Sequence, residues 1–181
     1  MRRFRFAIVT CLSVVCFVPS FANAQRTASE SFMISSGDPG IQLYVRNKHA
    51  EGSTSFPAEK VVLFVHGATY PSETIFDIDL PGGSWADLAA RKGYDVYMVD
   101  VRGYGGSTRP PSMDVAPTEN PAFATTVDAV KDVSAAVDFI LKRRSVAKLN
   151  LVGWSWGTAI MAGYTTANND KVNKLVLYAT L

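Results

Sequence analysis

The sequence predicts an α/β fold built on a doubly wound, mostly parallel sheet, and three observations lead there. Short runs of consecutive apolar residues, of which Val61-Val62-Leu63-Phe64-Val65 is the clearest, suit strands covered on both faces. Stretches with apolar residues at three- and four-residue spacing lie between such runs, so strands and helices alternate along the chain. The third observation is Gly153-Trp154-Ser155-Trp156-Gly157, a glycine-flanked serine placed where one strand passes into a helix.

The elements follow in order. Residues 30–34 and 41–46 form two short strands around Ser35-Ser36-Gly37-Asp38-Pro39-Gly40, whose turn residues predict a hairpin. A polar connection, residues 51–57, precedes the 61–65 strand, which ends at His66-Gly67. Ser84-Trp85-Ala86-Asp87 is a capping box that opens a helix to Arg91; Gly93 stops it before a strand over residues 94–99. Val127, Val130, Val133, Val137, Ile140 and Leu141 set the apolar face of a helix over residues 122–144, with Asp128, Lys131 and Asp132 on its polar face. A strand over 149–152 leads into the serine turn, a helix runs to about Ala167, and residues 172–179 form a last strand. That strand has the apolar character of an interior one, yet the sequence stops two residues later. A long apolar edge is normally shielded, so the parent protein is expected to continue, with Leu181 a truncation point.

Composition removes several function classes. Arg2, Arg3 and Arg5 precede an apolar run over residues 6–18, and Ala22-Asn23-Ala24 is a small-residue cleavage site, so residues 1–24 are expected to be a secretory signal and 25–181 one domain. The run is shorter than the roughly 20 residues of a membrane span, which predicts an exported mature chain, periplasmic or secreted, without a membrane anchor. Both cysteines, Cys11 and Cys16, fall inside that signal, excluding cysteine nucleophiles, disulfides and thiolate metal sites from the mature chain. The formal charge of +2 includes three arginines of the signal, so no nucleic-acid partner is implied.

The chemistry centres on Ser155. A serine on a sharp strand-to-helix turn presents its hydroxyl for attack on an acyl carbonyl, and Gly153 and Gly157 keep strand and helix from clashing. The oxyanion that develops needs two backbone donors. Trp156, next in chain and at a helix start, supplies the first amide; the loop His66-Gly67-Ala68-Thr69 supplies the second, from Ala68 with Thr69 as the alternative. Lys142-Arg143-Arg144 complements a helix C-terminus and needs no phosphate. Gly103-Tyr104-Gly105-Gly106 fails the dinucleotide pattern because Thr108 stands at the third glycine position. Neither a metal nor an organic cofactor is implied. For Trp154 and Trp156 two readings are open, a pocket floor or plain core. The connection over residues 70–83, with Phe76, Ile78 and Leu80 between Asp77 and Asp79, lines an acyl pocket or is a surface loop with tucked-in hydrophobes.

Three ordered motifs carry a resemblance: His66-Gly67 after the third strand, Asp100-Val101-Arg102-Gly103-Tyr104-Gly105-Gly106-Ser107 after the fourth, and the 153–157 turn after the fifth. Across residues 41–179 the chain resembles the serine-nucleophile branch of the α/β-hydrolase superfamily. The resemblance implies the α/β-hydrolase fold, truncated after about strand 6, and a triad in the order serine, acid, histidine, whose last two members would lie beyond Leu181. It implies a scaffold role for Asp100 and Arg102. His66 is then a structural histidine supporting the oxyanion loop; it precedes the nucleophile, which is the wrong place for the base. His49 is expected to be merely solvated and Asp170 a surface turn residue. Serine stands where the superfamily's dehalogenases and epoxide hydrolases carry aspartate, so acyl-enzyme chemistry on an ester or related small-molecule acyl substrate is favoured. The competing expectation is a non-catalytic remnant or binding module of the same fold.

Overall fold

The computed structural model describes residues 25–116, 118–120 and 122–180; the expected secretory signal, residues 1–24, lies outside the described residues. Six strands form one sheet: β1 (Thr27–Ser35), β2 (Gln42–Ala50), β3 (Val61–Val65), β4 (Asp95–Val99), β5 (Leu149–Trp154) and β6 (Val172–Tyr178). Their order is β1-β2-β4-β3-β5-β6, with β1 and β2 antiparallel and β4, β3, β5 and β6 parallel. Among the described residues the α-helices are α1 (Glu73–Phe76), α2 (Trp85–Arg91), α3 (Thr126–Arg144) and α4 (Trp156–Ala167).

Burial explains the layering. All five side chains of β3 and of β4 are buried, the signature of strands covered on both faces. Residues alternate between the two faces, so Leu63, Val65, Tyr97 and Val99 pack with Val133, Val137 and Ile140 of α3 and Ile160 and Met161 of α4. Val62, Phe64, Val96, Met98 and Val152 point the other way, onto Phe76 and Ala86 of α1 and α2. Parallel β3, β4 and β5 thus present their C-terminal ends side by side, and the loops leaving those ends meet there.

Several expectations change. Strands β1 and β2 are longer than the hairpin read from the sequence, and His49 lies within β2. It is not merely solvated: its side chain is mostly buried, packs 5.7 Å from the Phe56 ring and lies 3.0 Å through Nδ1 from the Ala50 carbonyl. Helix α3 starts at Thr126 instead of Ala122, because Thr125 and Asp128 form a reciprocal capping box; the approach, residues 111–114, is a short 3-10 turn. Val127, in the first turn of α3, is 70% exposed, outside the apolar face assigned to it.

Asp132 moves the opposite way. Placed on the polar face by its spacing, it is fully buried, because Arg102 reaches it with a bidentate guanidinium pair, Nη2 to Oδ1 2.7 Å and Nε to Oδ2 3.0 Å. In the 70–83 connection Phe76 is fully buried, whereas Ile78 and Leu80 are about half exposed. Asp77 is the buried acceptor of that connection, paired with Arg46 at 2.7 Å and with Lys48. At the sheet edge, β6 leaves Val176, Leu177 and Tyr178 exposed.

Candidate active site

Ser155 lies between β5 and α4 with φ 55° and ψ −122°, a region that non-glycine residues avoid because Cβ crowds the backbone. Packing imposes this conformation. A Cβ on Gly153 would lie 2.4 Å from the Gly157 carbonyl oxygen, and one on Gly157 would lie 2.5 Å from the Val65 oxygen and 2.7 Å from the His66 oxygen. These glycines are therefore required for space between strand and helix. Positive φ falls on the serine itself. Its amide donates to the Tyr178 carbonyl at 3.0 Å, and its carbonyl accepts from the Thr158 amide and hydroxyl at 2.9 and 2.6 Å. The Ser155 hydroxyl makes no capping bond to α4.

The loop after β3 runs alongside. A Cβ on Gly67 would lie 2.9 Å from Ser155 Cβ and 3.3 Å from Oγ, so only glycine lets this backbone pass so near. Ala68 follows, exposed. The Trp156 amide stands at the first position of α4, where an amide has no intrahelical acceptor and the helix dipole favours negative charge. Ser155, Trp156, Gly67 and Ala68 are thus gathered at the C-terminal ends of β3 and β5.

His66 is excluded as a base by its own bonds. Its ring is fully buried; Nε2 lies 3.1 Å from the Val101 amide and Nδ1 lies 2.7 Å from the Gly67 carbonyl. An amide only donates and a carbonyl only accepts, so Nδ1 carries the hydrogen and Nε2 is unprotonated. Burial also pushes the imidazole pKa below its ordinary value, against the Gly67 bond and the attraction of Asp100. The ring is a neutral bracket tying the loop after β3 to the turn after β4.

That turn is closed by its polar groups. Asp100 accepts from the Ser72 amide through Oδ1 at 2.8 Å and from the Gly106 amide through Oδ2 at 3.0 Å. The Ser107 hydroxyl donates to the Asp100 carbonyl at 2.5 Å, and Arg102 is held by Asp132 and by Asp38, the latter at 2.8 Å. Both Asp100 and Arg102 are spent on structure. Asp170 is exposed in a 3-10 turn, residues 169–171.

Two clefts open beside these groups. One of about 260 Å³ is lined by Ala68, Tyr104, Ala124, Thr126 and Trp156. A larger one of about 680 Å³ shares Tyr104 and Ala124 with it and continues over Met113 and Phe123. Their walls come from residues 102–126, the loop after β3 and Trp156, not from residues 70–83. Trp156 lines the smaller cleft, its Nε1 donating to Thr126 Oγ1 at 2.9 Å, while Trp154 packs on the α1–α2 side of the sheet. The two tryptophans thus divide the roles left open for them. Sequence reasoning missed Tyr104 and Thr126 as parts of this site.

A family model of the alpha/beta hydrolase fold matches residues 60–181. The chain belongs to the α/β-hydrolase family. Lipase member K of Homo sapiens is 26% identical over 152 residues, which cover 84% of this chain and 38% of that protein. Gastric triacylglycerol lipase of Bos taurus is 30% identical over 132 residues, covering 73% and 33%. The chain therefore spans about a third of the length of these curated relatives. Among solved structures, a CIB-like hydrolase from Thermoplasma acidophilum superimposes with a TM-score of 0.59 at 18% identity, covering 86% of this chain and 64% of that one. An epoxide hydrolase from Vigna radiata gives 0.57 at 21%, covering 83% and 39%. At these identities the superpositions speak for the fold.

Proposed function

We propose that the protein is a serine hydrolase that cleaves an ester or related acyl bond of a small molecule through an acyl-enzyme on Ser155. The observation that carries this reading is the Ser155 turn: strained backbone, a hydroxyl not used as a cap, the Trp156 amide at the start of α4 and the Gly67 backbone of the loop after β3 close beside it; the Trp156 and Ala68 amides are the donors of this reading. In the first step Ser155 Oγ attacks the carbonyl carbon, its proton passes to a base, and the carbonyl oxygen becomes the oxyanion held by those amides. Collapse expels the leaving group, which takes up that proton, and water then releases the acid. The reading calls for a histidine base paired with an acid, and His66 is not that base, since both its nitrogens are engaged. The rest of the substrate lies along the two clefts, over Tyr104 towards Met113 and Phe123.

The lipase relatives favour acyl chemistry over the epoxide chemistry named for one structural neighbour. Serine in place of aspartate favours it too. Residues 1–24 take the protein out of the cytoplasm on this reading. The test is a fluorophosphonate probe on the full-length gene product: one phosphonyl group per chain, located on Ser155 by peptide mass, and no labelling in Ser155→Ala. Labelling that survives in Ser155→Ala overturns the assignment.

A further inference from the structure

Tyr104 belongs to the turn after β4, yet its hydroxyl donates to the carbonyl of Ala68 at 2.7 Å. Its ring packs 4.6 Å from the His66 ring and 6.1 Å from the Trp156 ring, so one half-buried side chain touches both halves of the proposed oxyanion pocket. We propose that Tyr104 is a positioning residue for the oxyanion pocket: its hydroxyl holds the Ala68–Thr69 peptide with the Thr69 amide turned away from the cleft, leaving the Ala68 amide, on the preceding peptide that His66 holds, as the second donor. This rests on the Ser155 acyl-enzyme reading.

The geometry works through two consecutive peptides. His66 Nδ1–H holds the Gly67 carbonyl, and in a trans peptide the Ala68 amide points opposite to that carbonyl. Tyr104 holds the next carbonyl, that of Ala68, so the Thr69 amide points away from Tyr104, which lines the Trp156 cleft. A loop pinned at both carbonyls cannot rotate the Ala68–Thr69 peptide without breaking a bond. A pocket that stabilises an oxyanion by preorganisation loses rate when the loop carrying its donor is anchored at one carbonyl instead of two, because the donor amide is then no longer held in place ahead of the reaction. Burial raises the Tyr104 pKa, keeping the phenol protonated as a donor.

The experiment is steady-state hydrolysis of p-nitrophenyl butyrate by the full-length protein, with active sites counted by fluorophosphonate end-point. Tyr104→Phe keeps the ring on His66 and Trp156 and removes only the hydroxyl. Expected is a loss of about 10-fold in kcat per titrated serine, smaller than loss of a whole donor. KM should stay within about twofold, and a trifluoromethyl ketone inhibitor, whose adduct places an oxyanion in the pocket, should weaken by about the same factor as kcat/KM. Tyr104→Ala should lose more, since the packing goes as well. The proposal is overturned if Tyr104→Phe matches wild type while Tyr104→Ala is impaired, if the loss appears in KM alone, or if the fluorophosphonate end-point falls in step with kcat. Turnover that survives in Ser155→Ala brings down the acyl-enzyme reading itself, and with it this one.

Discussion

Helices α3 and α4 both begin after a hydroxyl residue, and the two residues are used in opposite ways. Thr125 is extended, φ −85° and ψ 166°; its hydroxyl accepts from the Asp128 amide while the Asp128 carboxylate returns a bond to the Thr125 backbone. Ser155 has φ 55° and ψ −122°, and its hydroxyl caps nothing. Both are hydroxyl residues at the N-cap position, so that position and a hydroxyl together do not mark a nucleophile. Backbone geometry separates them: an extended N-cap turns its oxygen onto the helix end, and the strained one turns it away. Satisfied polar groups mark scaffold, and an unspent hydroxyl held in a costly conformation marks a place where chemistry can occur.

The largest effect on this contrast should come from Gly157→Ala. The added methyl would meet the backbone oxygens of Val65 and His66, neither of which belongs to a flexible side chain. The clash is relieved only by moving α4 off β3, at a cost of about 1–3 kcal/mol of stability. Because that motion carries the Trp156 amide away from the Gly67–Ala68 loop, the proposed turnover of p-nitrophenyl butyrate should fall by about 100-fold or more among molecules that remain folded. Urea unfolding, together with kcat per titrated serine, separates the two losses. Full activity in a stably folded Gly157→Ala would mean that the turn tolerates relaxation and that its strain is incidental.

A smaller effect sharpens the pair directly. Thr125→Ala removes a working cap and should cost about 1 kcal/mol in urea unfolding, with unchanged fluorophosphonate labelling of Ser155. Ser155→Ala removes no cap and leaves a residue under similar backbone strain, so its stability should stay within about 0.5 kcal/mol of wild type. Equal losses in the two variants would show that the Ser155 hydroxyl serves the helix after all.

How much of this was legible in the sequence depends on how local its cause is. Strand β3 falls on the residues its apolar run indicates, and Ser84 caps α2 as its sequence pattern predicts. The glycines around Ser155 were also legible, because a strand-turn-helix needs small residues at those two places. Asp132 was misplaced: helical spacing put it among Asp128 and Lys131, while its environment is set by Arg102, 30 residues upstream. Tyr104 was hidden for the same reason, its hydroxyl partner lying 36 residues away. The clefts follow residues 102–126 because the turn after β4 folds over the ends of β3 and β5, a placement fixed by strand order.

His66 offers the smallest effect and a test of whether the scaffold half of the site is satisfied in the way described. In the folded protein its pKa is lowered from 6.5 by burial, so the unfolded chain binds the extra proton more readily than the folded one. The contribution of neutral His66 is therefore complete above about pH 6.5 and is lost as the pH falls towards the depressed folded value. Protonation would put a hydrogen on Nε2, where the Val101 amide already points its own, and the bracket between β3 and β4 would open. The carboxylates of Asp38 and Asp128 also sit below their usual range, through hydrogen bonds from Arg102 and Thr125 respectively, but their losses begin near pH 4, below the window from pH 6.5 to 5. Unfolding free energies from urea titrations should decline across that window by no more than about 1.36 kcal/mol per pH unit, the slope that full uptake of one proton gives. His66→Asn should begin less stable and lack that slope. If the slope survives in the variant, another group carries it, and His66 is not the neutral bracket between the two loops.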